Sequence, residues 1–227
     1  MTTLYIANKN YSSWSLRPWV LMTQLGIEFD EQLMVFGEGS NWEAFRAFSP
    51  NGRVPCLHDG DAVVWDSLAI MEYLAERHPD VWPSNRDART WARCAAAEMH
   101  SGFGTLRNVC GMSCGLRVRL HEVSSDLKAD IARIHELWNE GLSRFGGPFL
   151  AGDAFTAVDA FYAPVVFRIQ THGLPIGGAA SAYVDRMLAL PAMRDWYAAA
   201  LAEPWRDHAH EAETRQYGEV VEDFRVA

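Results

Sequence analysis

Apolar residues recur along this chain with two different periods, and the place where one gives way to the other divides it. Leu4-Tyr5-Ile6-Ala7 is a short apolar run of the kind a buried strand makes. From Ser15 onward Trp19, Val20, Met22 and Leu25 repeat at helical spacing, and Gly26 closes the helix. Phe29 to Val35 alternates as a strand does, and Trp42-Glu43-Ala44-Phe45 reads as a short helical piece. Cys56-Leu57-His58 and Ala62-Val63-Val64-Trp65 flank Asp59-Gly60-Asp61, a strong hairpin signal. Ser67 to Arg77 then makes an amphipathic helix with Leu68, Ile70, Met71 and Leu74 inward, ended by His78-Pro79. The order is β-α-β followed by β-β-α, within about eighty residues.

Past Asp80-Val81-Trp82-Pro83-Ser84 no strand pattern is evident, and the spacing predicts helices over 87–108, 124–145, 157–172, 181–189 and 192–202. The expected organisation is an α/β domain over 1–80, a proline-containing linker over 81–86 and an all-helical domain over 87–227. Thr156 and Asp159 have the spacing of a capping box, with Phe155 in the staple position, so their expected task is to start a core helix. The tail from Asp207 to Ala227 is charged and weakly periodic, suited either to wrapping the surface or to moving freely.

Composition narrows the function classes. With 227 residues, 49% apolar and 22% charged, the chain can bury a sizeable core. A net charge of -9 argues against non-specific nucleic-acid binding. No apolar run approaches a membrane span, and Met1 to Ile6 lacks the basic-then-apolar order of a signal peptide. The four cysteines Cys56, Cys94, Cys110 and Cys114 form no C-x-x-C and no zinc spacing, so no metal is expected. A reducing, cytoplasmic setting fits that usage.

Two local features point to a ligand. Pro55 has no N–H, so Val54-Pro55 cannot continue an ordinary ladder, and a cis bond there turns the Val54 main chain toward a ligand. Asp66-Ser67 opens a helix, where free N–H groups and the dipole favour a carboxylate. Together they suit a small anionic peptide.

With a helical domain behind it, this unit resembles the cytosolic glutathione transferases over nearly the whole chain: a thioredoxin-like domain followed by an all-helical bundle. The resemblance rests on Ser12-Ser13-Trp14-Ser15-Leu16-Arg17, Arg53-Val54-Pro55-Cys56-Leu57, Asp66-Ser67 with the helix it opens, and Gly152-Asp153 to Asp159. The serine-type, zeta- and theta-like classes place a serine five residues before an arginine. That makes Ser12 the catalytic candidate, with Arg17 beyond it and Ser13 second. Tyr5 and Tyr11 are weaker candidates. The resemblance implies glutathione as co-substrate, a small hydrophobic electrophile, a role in detoxification and a homodimer.

It also implies roles for the other residues. Val54 pairs with the cysteinyl main chain, Ser67 holds the γ-glutamyl carboxylate and Asp66 favours the ammonium beside it. Arg53, Asn41 or Trp42 reaches the glycyl carboxylate. Ser12 donates a hydrogen bond to the thiolate and attacks nothing itself. Lowering a thiol pKa by ~2 units needs ~2.7 kcal/mol of thiolate preference. A hydrogen bond to a charged group contributes ~1.5–3 kcal/mol and a helix N-terminus up to ~1 kcal/mol, so no general base is required. Trp14, His100, Phe103 and Arg107 are candidates for the second-substrate pocket, although Met99 to Arg107 also reads as helix core and dimer contact. The zeta class, which includes maleylacetoacetate isomerase, has a Ser-Ser-Cys run and a second arginine. Trp14 and Trp19 stand at those places here, which leaves glutathione-dependent cis–trans isomerisation as an alternative, beside a non-catalytic ligand-binding protein on the same fold.

Overall fold

A computed structural model describes residues 1–226. Strand β1 (Thr2–Ile6) leads into helix α1 (Ser13–Gln24), which crosses to β2 (Asp30–Leu33); a short α2 (Trp42–Arg46) precedes the hairpin β3 (Cys56–Asp59) and β4 (Ala62–Trp65), and α3 (Ser67–Ala75) follows. The sheet order is β2-β1-β3-β4, with β2 parallel to β1 and the other pairs antiparallel. Only the parallel pair needs a crossover helix, and α1 supplies it. Leu4, Ile6 and Leu57 bury one face of the sheet beneath Leu16, Val20, Ile70 and Met71. The strand expected over Phe29–Val35 is shorter than predicted and its side chains do not alternate; three of its four residues are exposed. An edge strand is held by main-chain bonds to its single neighbour, so its side chains need not follow a core.

A 3-10 turn at Pro79–Val81 leads to the helices. The single helix expected over 87–108 is two: α4 (Arg86–Ser101) and α5 (Gly104–Val109). Phe103 adopts a left-handed backbone (φ 58) between them, and a Cβ on Gly102 would come within 2.8 Å of the Glu98 carbonyl oxygen. The apolar spacing runs through this break, which is why periodicity alone does not show it. Strand β5 (Leu116–Leu120) follows, then α6 (Ser125–Phe145), α7 (Ala157–His172), α8 (Ala179–Ala189), α9 (Pro191–Ala202), α10 (His208–Tyr217) and β6 (Gly218–Asp223).

β5 and β6 pair antiparallel, so the helical domain carries a small sheet that the sequence reading did not expect. Leu116-Arg117-Val118-Arg119-Leu120 does alternate, but charged residues at every second place mask it. The tail wraps the surface: buried Arg225 pairs with Glu211 at 2.5 Å and donates to the Tyr11 hydroxyl at 2.9 Å.

Helix α7 is buried along most of its length. Its start is the expected capping box. The Asp159 carboxylate accepts the N–H of Thr156 and of Leu150 and the hydroxyl of Tyr183, each at 3.0 Å. Burial pushes the Asp159 carboxyl up to about 6, against the pull of those bonds. All four cysteines are free, and Cys110 and Cys114 are buried. No helix among the described residues is long and apolar enough to cross a membrane.

Candidate active site

The loop between β1 and α1 is clamped from the helical domain. Glu203, just beyond α9, accepts the N–H of Lys9 at 2.6 Å and of Asn10 at 3.3 Å. The Asn10 side chain donates to the Ala200 carbonyl and accepts the Gly115 N–H at 3.2 Å. The Trp196 indole donates to the Lys9 carbonyl at 2.9 Å. Burial raises the Glu203 carboxyl, while the three donors of Lys9 and Asn10 hold it down.

This loop delivers Ser12 to the start of α1. Ser12 occupies the cap position but makes no side-chain bond to the helix's free N–H groups. Its Oγ lies 2.7 Å from Ser15 Oγ, which also accepts the Ala7 N–H at 3.2 Å. The Ser12 hydroxyl donates to Ser15 in this structure; because a hydroxyl can both donate and accept, a thiolate in the cleft can take the Ser12 O–H while Ser15 turns to donate to Ser12.

Ser12 opens on a cleft of about 500 Å³ between the two domains. Ser13, Trp14, Arg17, Asn41, Trp42, Arg53, Val54 and Arg107 also line it. The Val54–Pro55 bond is cis. Gly52 has φ +62, and a Cβ there would sit 2.5 Å from the Trp42 ring, so only glycine lets that indole close over the loop. A larger cleft of about 930 Å³, around Gln24, Trp82, Asn85 and Arg144, contains none of the predicted site residues. Chemistry, not size, selects the smaller one.

Asp66, Ser67, His100 and Phe103 do not line the 500 Å³ cleft. Ser67 is wholly buried and accepts a bond from Arg17 Nη1 at 3.2 Å, so Arg17 stands between it and the cleft. Asp66 has a positive φ of 77, and its carboxylate accepts the Leu68 N–H at 2.8 Å. His100 Nε2 lies 3.6 Å from Asp66, and its ring meets Trp14 edge-on with centroids 5.3 Å apart. Burial lowers the His100 pKa; Asp66 opposes this, while Arg17 and Arg107 add to it. Phe103 is buried at the break between α4 and α5.

Of the tyrosines, Tyr5 stacks on Phe48 in the sheet. Tyr11 reaches the cleft, but its hydroxyl is engaged by Glu211 and Arg225, and burial pushes its pKa up to about 12. Arg17 is only 2% exposed and stacks between Trp14 and Phe161, its guanidinium carbon 4.1 and 4.9 Å from the ring centroids. It forms no ion pair among the described residues.

Two family models match the chain: the glutathione S-transferase N-terminal domain over residues 11–77 and the C-terminal domain over 117–199. The chain belongs to the glutathione S-transferase family. Among the family's curated members, Glutathione S-transferase 1 of Dianthus caryophyllus is 27% identical over 74% of this chain and 77% of its own length. A Stringent starvation protein A homolog of Pasteurella multocida is 26% identical over 70% of this chain and 72% of its own. A solved glutathione transferase homolog from Burkholderia, with bound glutathione, has a TM-score of 0.66 and 21% identity, covering 88% of this chain and 97% of that one. At that identity the likeness is one of fold.

Sequence reasoning missed Glu203, the Tyr11–Glu211–Arg225 cluster and Arg168, another residue lining the cleft. Their partners lie far away along the chain, and no local spacing signals them.

Proposed function

We propose that the protein is a glutathione transferase that binds reduced glutathione beside Val54 and activates its thiol through Ser12, for attack on a small electrophile. The observation that carries this reading is the Ser12 hydroxyl at the uncapped start of α1, opening on the same cleft as Val54. A thiolate between them receives one charge-assisted hydrogen bond and the positive end of a helix. Arg53, Asn41 and Trp42 are assigned to the glycyl carboxylate. The γ-glutamyl end is assigned to Asp66 and Ser67, with Arg17 as the cation linking Ser67 to the cleft. Ser13 is the second candidate for the thiolate contact. Trp14 and Arg107 are assigned to the second substrate, and His100 supports Trp14 from behind.

Conjugation is preferred to isomerisation because Trp14 and Trp19 stand where the isomerase class has Cys and Arg, and Trp19 packs edge-on against Trp196. A homodimer in the cytoplasm completes the reading. It is supported by the outward apolar face of β4, where Val63 and Trp65 are 38% and 44% exposed.

The test is a calorimetric titration with reduced glutathione. Saturable binding of one molecule per subunit is expected. An absence of binding at millimolar concentration would leave a ligand-binding protein that has kept the fold alone.

A further inference from the structure

The cleft beside Ser12 has a charge balance opposite to that of the chain. The protein carries 29 acidic and 20 basic residues, yet Arg17, Arg53, Arg107 and Arg168 line this cleft against one carboxylate, Glu213. Arg53 belongs to the glutathione side, and Arg17 on α1 borders it through Ser67; Arg107 and Arg168 come from the helical domain. Arg17 and Arg168 are only 2% and 5% exposed, and Arg107 is half-buried. None of the three forms an ion pair among the described residues.

Their donors are only partly used. Arg168 gives its Nε–H to the Cys110 carbonyl at 2.8 Å. Arg107 is anchored through Nη2 to the carbonyls of Met99 and His100, and its guanidinium lies 5.0 Å from the Trp14 centroid. The Nε atoms of Arg17 and Arg107 are buried without a hydrogen-bond partner. Burial and the neighbouring guanidiniums lower the pKa of Arg17 and Arg168; burial lowers that of Arg107 against the pull of Asp130. Buried cations are ordinarily paired with carboxylates. Positive charge held in place without a partner is a site prepared for an anion.

We propose that the second substrate carries a carboxylate, received by Arg107 and Arg168 on the helical side of the cleft. Planar guanidinium groups suit that ion because their paired donors match its two oxygens. The electrophilic carbon of such a molecule is then held toward Ser12. This inference names the substrate class of the proposed transferase site and rests on that reading for the reaction alone. On an aryl chloride probe, the thiolate attacks the carbon bearing chlorine, the C–S bond forms, the C–Cl bond breaks, and chloride leaves with the electron pair; the thiol proton goes to solvent.

The experiment compares chlorodinitrobenzene with a chlorodinitrobenzoate as electrophiles for the full chain. Alongside it, binding of unreactive dinitrobenzoate is followed by quenching of tryptophan fluorescence, with and without glutathione. The expected kcat/KM ratio favours the acid by about tenfold or more, the scale of one hydrogen bond to a charged group. The ratio collapses in Arg107→Gln and returns in part in Arg107→Lys. Carboxylate binding weakens in Arg107→Gln by a similar factor. If neither probe turns over but dinitrobenzoate binds and depends on Arg107, the inference stands and the transferase reading falls. A ratio near one in the wild type, or no carboxylate binding, overturns the inference. So does an Arg107→Gln variant that slows both probes equally while raising the pKa of bound glutathione, because the arginines would then serve the thiolate.

Discussion

Two helices of this protein start on a hydroxyl residue and are finished in opposite ways. At the start of α7 the Asp159 carboxylate collects four donors, two from the backbone and the hydroxyls of Tyr183 and, more distantly, Thr156, and the whole arrangement is buried. At the start of α1 the Ser12 side chain leaves the helix's own N–H groups alone and, among the described residues, hydrogen-bonds to Ser15. The first is closed and serves folding. The second is open toward a cleft, and the loop that carries it is fixed from outside, by Glu203 and Trp196. Unfinished hydrogen bonding can serve function where a neighbouring clamp supplies the missing order.

The sharpest way to break this contrast is at the closed end. Asp159→Asn leaves one acceptor oxygen for four donors and turns an NH₂ toward them. It is expected to lower unfolding free energy by about 2–4 kcal/mol, read from urea denaturation. At the open end, Ser12→Ala should reduce kcat/KM for conjugation by about 10–100-fold, the range of a lost bond to a charged sulfur. Stability should change by less than about 1 kcal/mol, because the Ser12 side chain supports no helix N–H and its carbonyl, which accepts the Leu16 N–H, is kept in the variant. Equal stability losses in the two variants would erase the distinction.

The pH dependence sharpens it further. Asp159 titrates near 3.8 in the unfolded chain and near 6 in the fold. Between those values the folded state keeps the proton more often, so the stability owed to this group is greatest below pH 4 and is lost as pH rises to about 6. Asp59, lowered by its bonds to Tyr73, Thr2 and Arg77, has the opposite slope. The check is therefore the stability difference between wild type and Asp159→Asn from pH 4 to 7, which should be widest near pH 4 and narrow as pH rises to about 6, because only the wild type carries this titration; a difference that widens with rising pH would contradict a raised Asp159. The smallest effect belongs to Thr156→Ala. Its hydroxyl lies 3.4 Å from Asp159, and its loss should cost about 1 kcal/mol or less in the same denaturation assay.

What could be read from sequence was local. The β-α-β and β-β-α order and the Thr156–Asp159 box each depend on residues a few places apart, and these emerge as expected. Three things were not legible in that way. The helix break at Gly102-Phe103 keeps its apolar spacing while reversing backbone hand at one residue. β5 is stabilised by pairing with β6 at the far end of the chain, so its alternation had no visible partner. Three of the four cleft arginines come from α1, α5 and α7, and only packing of those helices unites them. Arg17 was named in advance, but its burial between Trp14 and Phe161 follows from the domain interface rather than from its neighbours in sequence.

The central claim is that the open start of α1 stabilises a thiolate through Ser12. It is tested most directly by titrating the near-ultraviolet thiolate absorbance of glutathione bound to the wild type and to Ser12→Ala. The account predicts a bound thiol about 2 pH units below the free value of ~8.5, rising by about 1–2 units in the variant. A bound thiol that titrates like the free one, or an unchanged value in Ser12→Ala, would contradict it.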